Sequence, residues 1–216
     1  MNIVNKFVLF TSKATKRINK IFGQQYLYII FNAVMLKLGI YRVLIDILLK
    51  IGAMPTVTAI MSDNTKILVD LRSNTEFRTF FSGEYDAELV EILDQLLNPD
   101  DYFLDIGSNV GFYSVSMGEK IRSKKGNGKV VSFEPFAGNF NRLIDNINLN
   151  NLEDYCVAHK IGLSNESLDA LIVLREDFKN GSGTGNASIE ISENIDSKFE
   201  KSPIKLERLD DFWNKH

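Results

Sequence analysis

Two carboxylates, Asp105 and Glu134, each close a short apolar run, and a glycine-rich turn follows the first of them. Tyr102 to Ile106 has the pattern of a buried strand. The chain then passes through Gly107, Ser108, Asn109 and Gly111 into Phe112 to Lys120, which reads as a helix. A turn of this kind presents backbone N–H groups without side-chain obstruction and lets a ligand approach the main chain. Gly128-Lys-Val-Val-Ser-Phe-Glu-Pro135 reads as a second strand with Glu134 as its last residue before a proline. In a parallel sheet, neighbouring strands that end in acids place both acids on one rim, and open α/β sheets bind ligands along that rim. A carboxylate there can accept hydrogen bonds from both hydroxyls of a ribose.

Three ligand readings compete for this stretch. The dinucleotide fingerprint G-x-G-x-x-G fails, because position 109 is Asn and position 112 is Phe. A phosphate-binding P-loop fails because Gly111 is followed by Phe112 rather than by Lys and Ser or Thr. The third is a pocket for a nucleoside joined to an amino acid, as in S-adenosylmethionine enzymes: Asp-x-Gly-x-Asn-x-Gly in the first turn and an acid ending the second strand. Asp105, Gly107, Asn109, Gly111 and Glu134 match it. The plainer alternative is a buried βαβ unit whose glycines only make a tight turn. Asn109 has such an alternative of its own, since Asn tolerates a left-handed backbone.

The segment from about Ile67 to Leu209 resembles the FkbM-type S-adenosylmethionine-dependent methyltransferases. The residues that carry the resemblance are Phe81 to Val90, Phe103 to Ser114, Val130 to Pro135, Asn139 to Asn151, Ile161 to Ser164, Gly185 to Ser188 and Leu209 to Phe212. It implies an α/β, Rossmann-like fold of the class I methyltransferase type with a mostly parallel sheet, and S-adenosyl-L-methionine as cofactor. It also implies that the loop after the third strand borders the adenine, through Ile161 or Gly162, and that Tyr85 or Asp86 can reach the methionine end. The family continues after Leu-Asp-Asp-Phe into a strand reading Lys-Ile-Asp-Val-Glu-Gly, and this sequence stops at His216, before that strand. A sheet incomplete at the C-terminus is therefore expected. The domain reading is an N-terminal helical extension over residues 1–54 and a methyltransferase domain over residues 55–216.

With 216 residues, 44% hydrophobic and 25% charged, the chain reads as an ordinary soluble globular protein. Its single cysteine, Cys156, excludes an internal disulfide and suits a reducing cytoplasm. Cys156 lies in an apolar-alternating run, where a core role is expected. His159 and His216 are the only histidines and no cysteines are paired, so no metal site is expected. Net charge is −3, yet no acid precedes Asp46, while Lys6, Lys13, Lys16, Arg17, Lys20, Lys37 and Arg42 are all cationic. That asymmetry suits either a solvated helix face or peripheral contact with an anionic membrane. Without aromatic interleaving or a nucleic-acid motif, nucleic acid is not an expected partner.

Residues 1–50 read as helical, either a hairpin packed on the domain or an interfacial helix. Their longest apolar stretch holds Asn32 and closes at Lys37, too short to span a bilayer. No signal-peptide cleavage site follows. Past Gly52 and Pro55, Thr56 to Met61 and Lys66 to Leu71 alternate on either side of Ser62-Asp-Asn-Thr65, the pattern of a hairpin. Ser82-Gly83 closes a loop, and Tyr85 to Leu97 has helical spacing at Leu89, Ile92, Leu93, Leu96 and Leu97. Asn139 to Asn150 is a helix, Tyr155 to Ile161 the third strand and Leu168 to Leu174 a further strand. Asn180 to Asn186 is a glycine-rich linker or mobile loop, and Asn165, Asn180 and Asn186 open chance glycosylation triplets. Ile204 to Leu206 starts a last strand and Leu209 to Trp213 a short helix.

The implied reaction transfers a sulfonium methyl to a nucleophile by in-line displacement. Gly107 and Gly111 let the main chain approach the methionyl group, and Ser108 lies between them in the same turn. Asp105 and Asn109 hold its ammonium or carboxylate directly or through water, and Glu134 takes the ribose hydroxyls. No general base can be named from the sequence, and His159 is expected to be packed or on the surface. The acceptor is read as a hydroxyl on a small molecule or glycan. A non-catalytic remnant or binding module is the alternative, and a nicotinamide-dependent oxidoreductase a third.

Overall fold

A computed structural model describes Ile47 and residues 56–174, 187–190 and 200–215. Apart from Ile47, the helical extension read over residues 1–54 lies outside them, as does the glycine-rich stretch Asn180–Asn186. The described chain falls into two compact units, divided so that residues 68–85 belong to the first and residues 65–67 and 86 onward to the second.

The first unit contains β1 (Thr56–Ile60), most of β2 (Lys66–Asp70) and α1 (Asn74–Ser82). β1 and β2 pair as a two-stranded sheet across the expected turn. Asn64 adopts φ 69° there, and its N–H donates to the Met61 carbonyl at 3.0 Å. The stretch ahead of Ser82-Gly83, expected to be loop, is helix instead. Ser73 caps it, with Oγ accepting from the Glu76 N–H at 3.4 Å, and Gly83 ends it in the left-handed conformation at φ 74°. Ser73-Asn-Thr-Glu76 has the spacing of a capping box. The buried Glu76 carboxylate nevertheless accepts from the Asp70 N–H at 2.6 Å, tying β2 to the helix start. Phe77, Phe80 and Phe81 supply the buried face, with ring centroids 4.8 Å (77–81) and 5.3 Å (80–81) apart.

The second unit is built on a β-α-β-α-β run: β3 (Tyr102–Ile106), α3 (Phe112–Ser123), β4 (Lys129–Phe133), α4 (Ala137–Leu149) and β5 (Cys156–His159). The three strands are parallel in the order β3-β4-β5, a Rossmann-like α/β arrangement as expected. Register sets Asp105 beside Ser132 and Ile106 beside Phe133. Because side chains alternate along a strand, one face presents Asp105, Ser132 and Cys156 to α3, and hydrogen bonds join all three to Ser114. The other face carries Leu104, Val131 and Phe133, packed against Phe212 of α5 (Leu209–Lys215). His159 belongs to this second face: its ring stacks on Phe133 at 5.7 Å and meets Phe212 edge-on at 4.6 Å.

Before β3, α2 (Ala87–Leu96) starts two residues later than its apolar spacing implies, because Asp86 takes a left-handed φ of 46°. Asp94 joins it to α3 through Lys120 at 2.9 Å and Lys124 at 3.0 Å. Against the desolvation that burial imposes, those two lysines hold Asp94 below its ordinary carboxylate range. The apolar positions whose spacing reads as helical are largely exposed at Leu89, Ile92 and Leu96, while Leu97 is buried.

The third parallel strand is shorter than expected. It ends at His159, and the chain crosses at Lys160 and Ile161 into a second sheet of β6 (Gly162–Leu163), β7 (Leu168–Leu174), β8 (Ala187–Glu190) and β9 (Glu200–Glu207). Its order is β6-β9-β7-β8, with β6 parallel to β9 and β7 antiparallel to both its neighbours. This sheet is mixed rather than a continuation of the parallel one, and it closes its own core of Ala170, Ile172, Leu174, Ile204 and Leu206. Among the described residues, β3 pairs with β4 alone, and no helix is long and apolar enough to cross a membrane.

α3 lies close enough to β5 that a Cβ added at Gly118 would sit 2.5 Å from Cys156 Sγ. Gly118→Ala is expected to destabilise the protein by about 1–3 kcal/mol through overpacking. Adding Cys156→Ala should recover most of that loss, and urea unfolding of the two variants measures it.

Candidate functional site

β3 delivers Asp105 to the start of α3, whose N-cap is Gly111 and so has no side chain to cap it. The four N–H groups at a helix start need partners from elsewhere. The Asp105 carboxylate supplies one, accepting from the Ser114 backbone N–H and, at 2.5 Å, from Ser114 Oγ. Ser114 Oγ also lies 2.8 Å from Ser132 Oγ on the neighbouring strand. Asp105, Ser114 and Ser132 are all buried. Ser114 and Ser132 escape sequence reading, because their pairing with Asp105 and with each other is made between separate elements.

The turn between Asp105 and α3 is held along its length. Gly107 and Ser108 N–H both donate to the Phe133 carbonyl, at 2.9 and 3.0 Å, and Ser108 Oγ donates to the Asp105 carbonyl at 2.7 Å. Gly111 N–H donates to the Ser108 carbonyl at 2.8 Å. Gly107, Asn109 and Gly111 all have positive φ, of 77°, 51° and 91°. At Gly111 a Cβ would meet Leu143 Cδ1 at 2.5 Å, so this glycine allows α4 to pack beneath the turn. At Gly107 a Cβ would meet nothing within 4 Å, so its side of the turn faces open space. Asn109 does adopt the left-handed backbone, and its N–H donates to Glu134 Oε2 at 2.8 Å.

Glu134 follows β4 directly and is buried. Its Oε1 accepts from the Phe136 N–H at 3.0 Å, and the Asn139 side chain donates to the same carboxylate. The two acids therefore address one turn from adjacent strand ends: Glu134 bonds Asn109 within it, and Asp105 bonds Ser114 just beyond it. Burial raises the pKa of both. For Asp105, Ser114 opposes the rise. For Glu134, the Phe136, Asn109 and Asn139 donors oppose it, and the charge of Asp105 adds to it.

Gly162 opens β6 near Pro135, where a Cβ would lie 3.4 Å from the proline ring and 2.7 Å from Leu206 Cδ2. Its neighbour Ile161 packs with the Val131, Phe133 and Phe212 cluster. Gly162 thus lies close to the residue after Glu134, while Ile161 contributes to the core beneath the parallel sheet. Asp86 lies at the start of α2, where its Oδ2 accepts from Tyr113 OH at 2.7 Å, one residue before Ser114.

No model of a known protein family matches the sequence, and no curated protein does. Among solved structures, the chain is similar to Pyrococcus horikoshii TYW2 in complex with MeSAdo, at 19% identity and a TM-score of 0.38 over 51% of this chain and 38% of that one. A Pyrococcus abyssi tRNA (uracil-54, C5)-methyltransferase in complex with S-adenosyl-L-homocysteine aligns at 14% identity and a TM-score of 0.35, over 50% of this chain and 24% of that one. Methyltransferase FkbM from Methylobacillus flagellatus aligns at 14% identity and a TM-score of 0.32, over 62% of this chain and 31% of that one. The chain spans well under half the length of the solved structures it matches.

A carboxyl whose pKa is raised on folding binds more protons folded than unfolded, so stability falls as pH rises through the interval between the two values. Asp105 and Glu134 both contribute in that sense, from the ordinary carboxylate range upward. Asp105→Asn and Glu134→Gln should each flatten this fall. Unfolding midpoints in urea, followed from pH 4 to pH 8, check the change in slope against the unmodified chain.

Proposed function

We propose that this chain is an S-adenosylmethionine-dependent methyltransferase of the FkbM type, acting on a hydroxyl of a small molecule or glycan. The observation that carries the reading is the hydrogen bond from Asn109 N–H to Glu134 Oε2. It joins the acid after one parallel strand to the turn after its neighbour, at the rim where such sheets take ligands. The cofactor's donor and acceptor groups fit the residues present. A carboxylate has about four acceptor positions, and the Phe136, Asn109 and Asn139 donors do not exhaust those of Glu134, which supports its taking a ribose hydroxyl. Gly107 lets a ligand reach the main chain on its open side. The positive end of α3, with Gly111 as its cap, suits the methionyl carboxylate. Asp105 and Asn109 supply partners for the ammonium, directly or through water.

Bound there, S-adenosylmethionine would supply the electrophilic methyl group. The protein's part is orientation: the turn fixes the amino-acid end, Glu134 fixes the ribose, and Gly162 beside Pro135 borders the base. A binding module without chemistry is a second reading. It is favoured by the burial of both acids and by their bonds to their own backbone. Release of S-adenosylhomocysteine in the presence of hydroxylated acceptors separates the two.

Glu134→Ala should weaken S-adenosylhomocysteine binding by about 2–3 kcal/mol, as charge-assisted bonds to the ribose are lost. Isothermal titration checks this, and tight binding of NAD in place of the adenosyl ligand would overturn the reading. Gly107→Val should also lose binding, because it strains a positive φ and places a side chain in the space the ligand needs.

A further inference from the structure

α4 carries two buried asparagines, Asn139 and Asn146, and a third, Asn150, is its C-cap. Asn139, Asn146 and Asn150 follow one another at spacings of seven and four, which puts them on one face of a helix. All three are buried, where an unpaired amide would cost free energy. Each is spent on something other than α4's own side chains. Asn139 donates to the Glu134 carboxylate. Asn146 Nδ2 donates to the Val110 carbonyl at 2.8 Å, inside the site turn. Asn150 Nδ2 donates to the Asn146 and Lys66 carbonyls at 2.7 Å each, and its Oδ1 accepts from Lys66 N–H at 2.8 Å. Between the first two, Leu143 Cδ1 fills the space beneath Gly111.

We propose that Asn139 and Asn146 are positioning residues, through which α4 sets the relative placement of the Glu134 carboxylate and the Ser108–Gly111 turn before any ligand arrives. The inference rests on the methyltransferase reading for what the site binds, but not for the pre-organisation itself. Asn109 is the one non-glycine residue of the turn with positive φ, at 51°, and such a conformation persists only where its surroundings fix it. Val110 is the one residue between Asn109 and Gly111, so the Asn146 bond grips the turn at its middle. Asn139 grips the acid that the turn's Asn109 N–H addresses. The two bonds act on opposite ends of the Asn109–Glu134 contact.

A merely structural role for Asn139 would change stability and leave the pH dependence of binding where it was. A positioning role makes a different demand, because the Asn139 amide favours the charged form of Glu134. Asn139→Ala should weaken S-adenosylhomocysteine binding about tenfold at neutral pH, the worth of one hydrogen bond to a charged group. It should also move the acid limb of the affinity–pH profile upward. Asn139→Asp, which sets a second carboxylate against the first, should move that limb further, and Asn139→Gln should partly restore it. For Asn146→Ser and Asn146→Ala, amide hydrogen exchange without ligand should rise at least about tenfold at Asn109 and Gly111 and stay unchanged in β4. Acid limbs that coincide for all Asn139 variants, or exchange that rises equally throughout α3 and β4, would overturn the proposal. Should the unmodified chain bind no adenosyl ligand, the methyltransferase reading fails, and the exchange measurement alone still decides the positioning role.

Discussion

A buried carboxylate at the head of a helix underlies the second unit. α3 begins on a glycine, so its first turn lacks a side-chain cap, and Asp105 reaches across from β3 to provide one. The arrangement combines hydrogen bonding with the favourable placement of a negative group at a helix N-terminus. It also fixes the distance between strand and helix, and hence the span of the turn that joins them. Desolvation opposes it, as the upward displacement of the Asp105 pKa records. Ser114 offsets part of that cost by donating to the carboxylate from both its N–H and its hydroxyl, and Ser132 Oγ pairs with that hydroxyl in turn.

Glu134 solves the same problem differently. Its donors are mostly backbone N–H groups, from Asn109 on one side and Phe136 on the other. Burial raises the proton affinity of Glu134, and the charge of Asp105 adds to that rise. A pair of buried carboxyls of this kind offers acceptors rather than donors to whatever approaches the turn.

The strand–turn–helix at the site was legible in the sequence because a buried parallel strand, a run of glycines and an acid before a proline each leave a direct residue signature. Tyr102–Ile106 has the expected bounds, and Asp105 and Glu134 meet at one turn. Features that depend on what lies across space were harder to read. The third strand ends at His159 because the chain changes sheets there, and nothing in Tyr155 to Ile161 announces that change. Leu89, Ile92 and Leu96 have the spacing of a core stripe yet are exposed, since periodicity reports a face and not its cover. Asparagines ordinarily count as surface residues, so the buried face of α4 gave no sign of its role. The Ser73-x-x-Glu76 start of α1 could have been found from spacing alone.

Cys156 is the only cysteine in the sequence, and it is buried against Ser114 and under Gly118. Burial pushes its thiol up to about 12, so hardly any thiolate exists at neutral pH in the folded chain. Alkylating reagents therefore meet an inert sulfur until α3 lifts from β5. The chain thereby carries a natural clock: the pace at which a thiol label is taken up times the opening of the helix whose Ser114 holds Asp105.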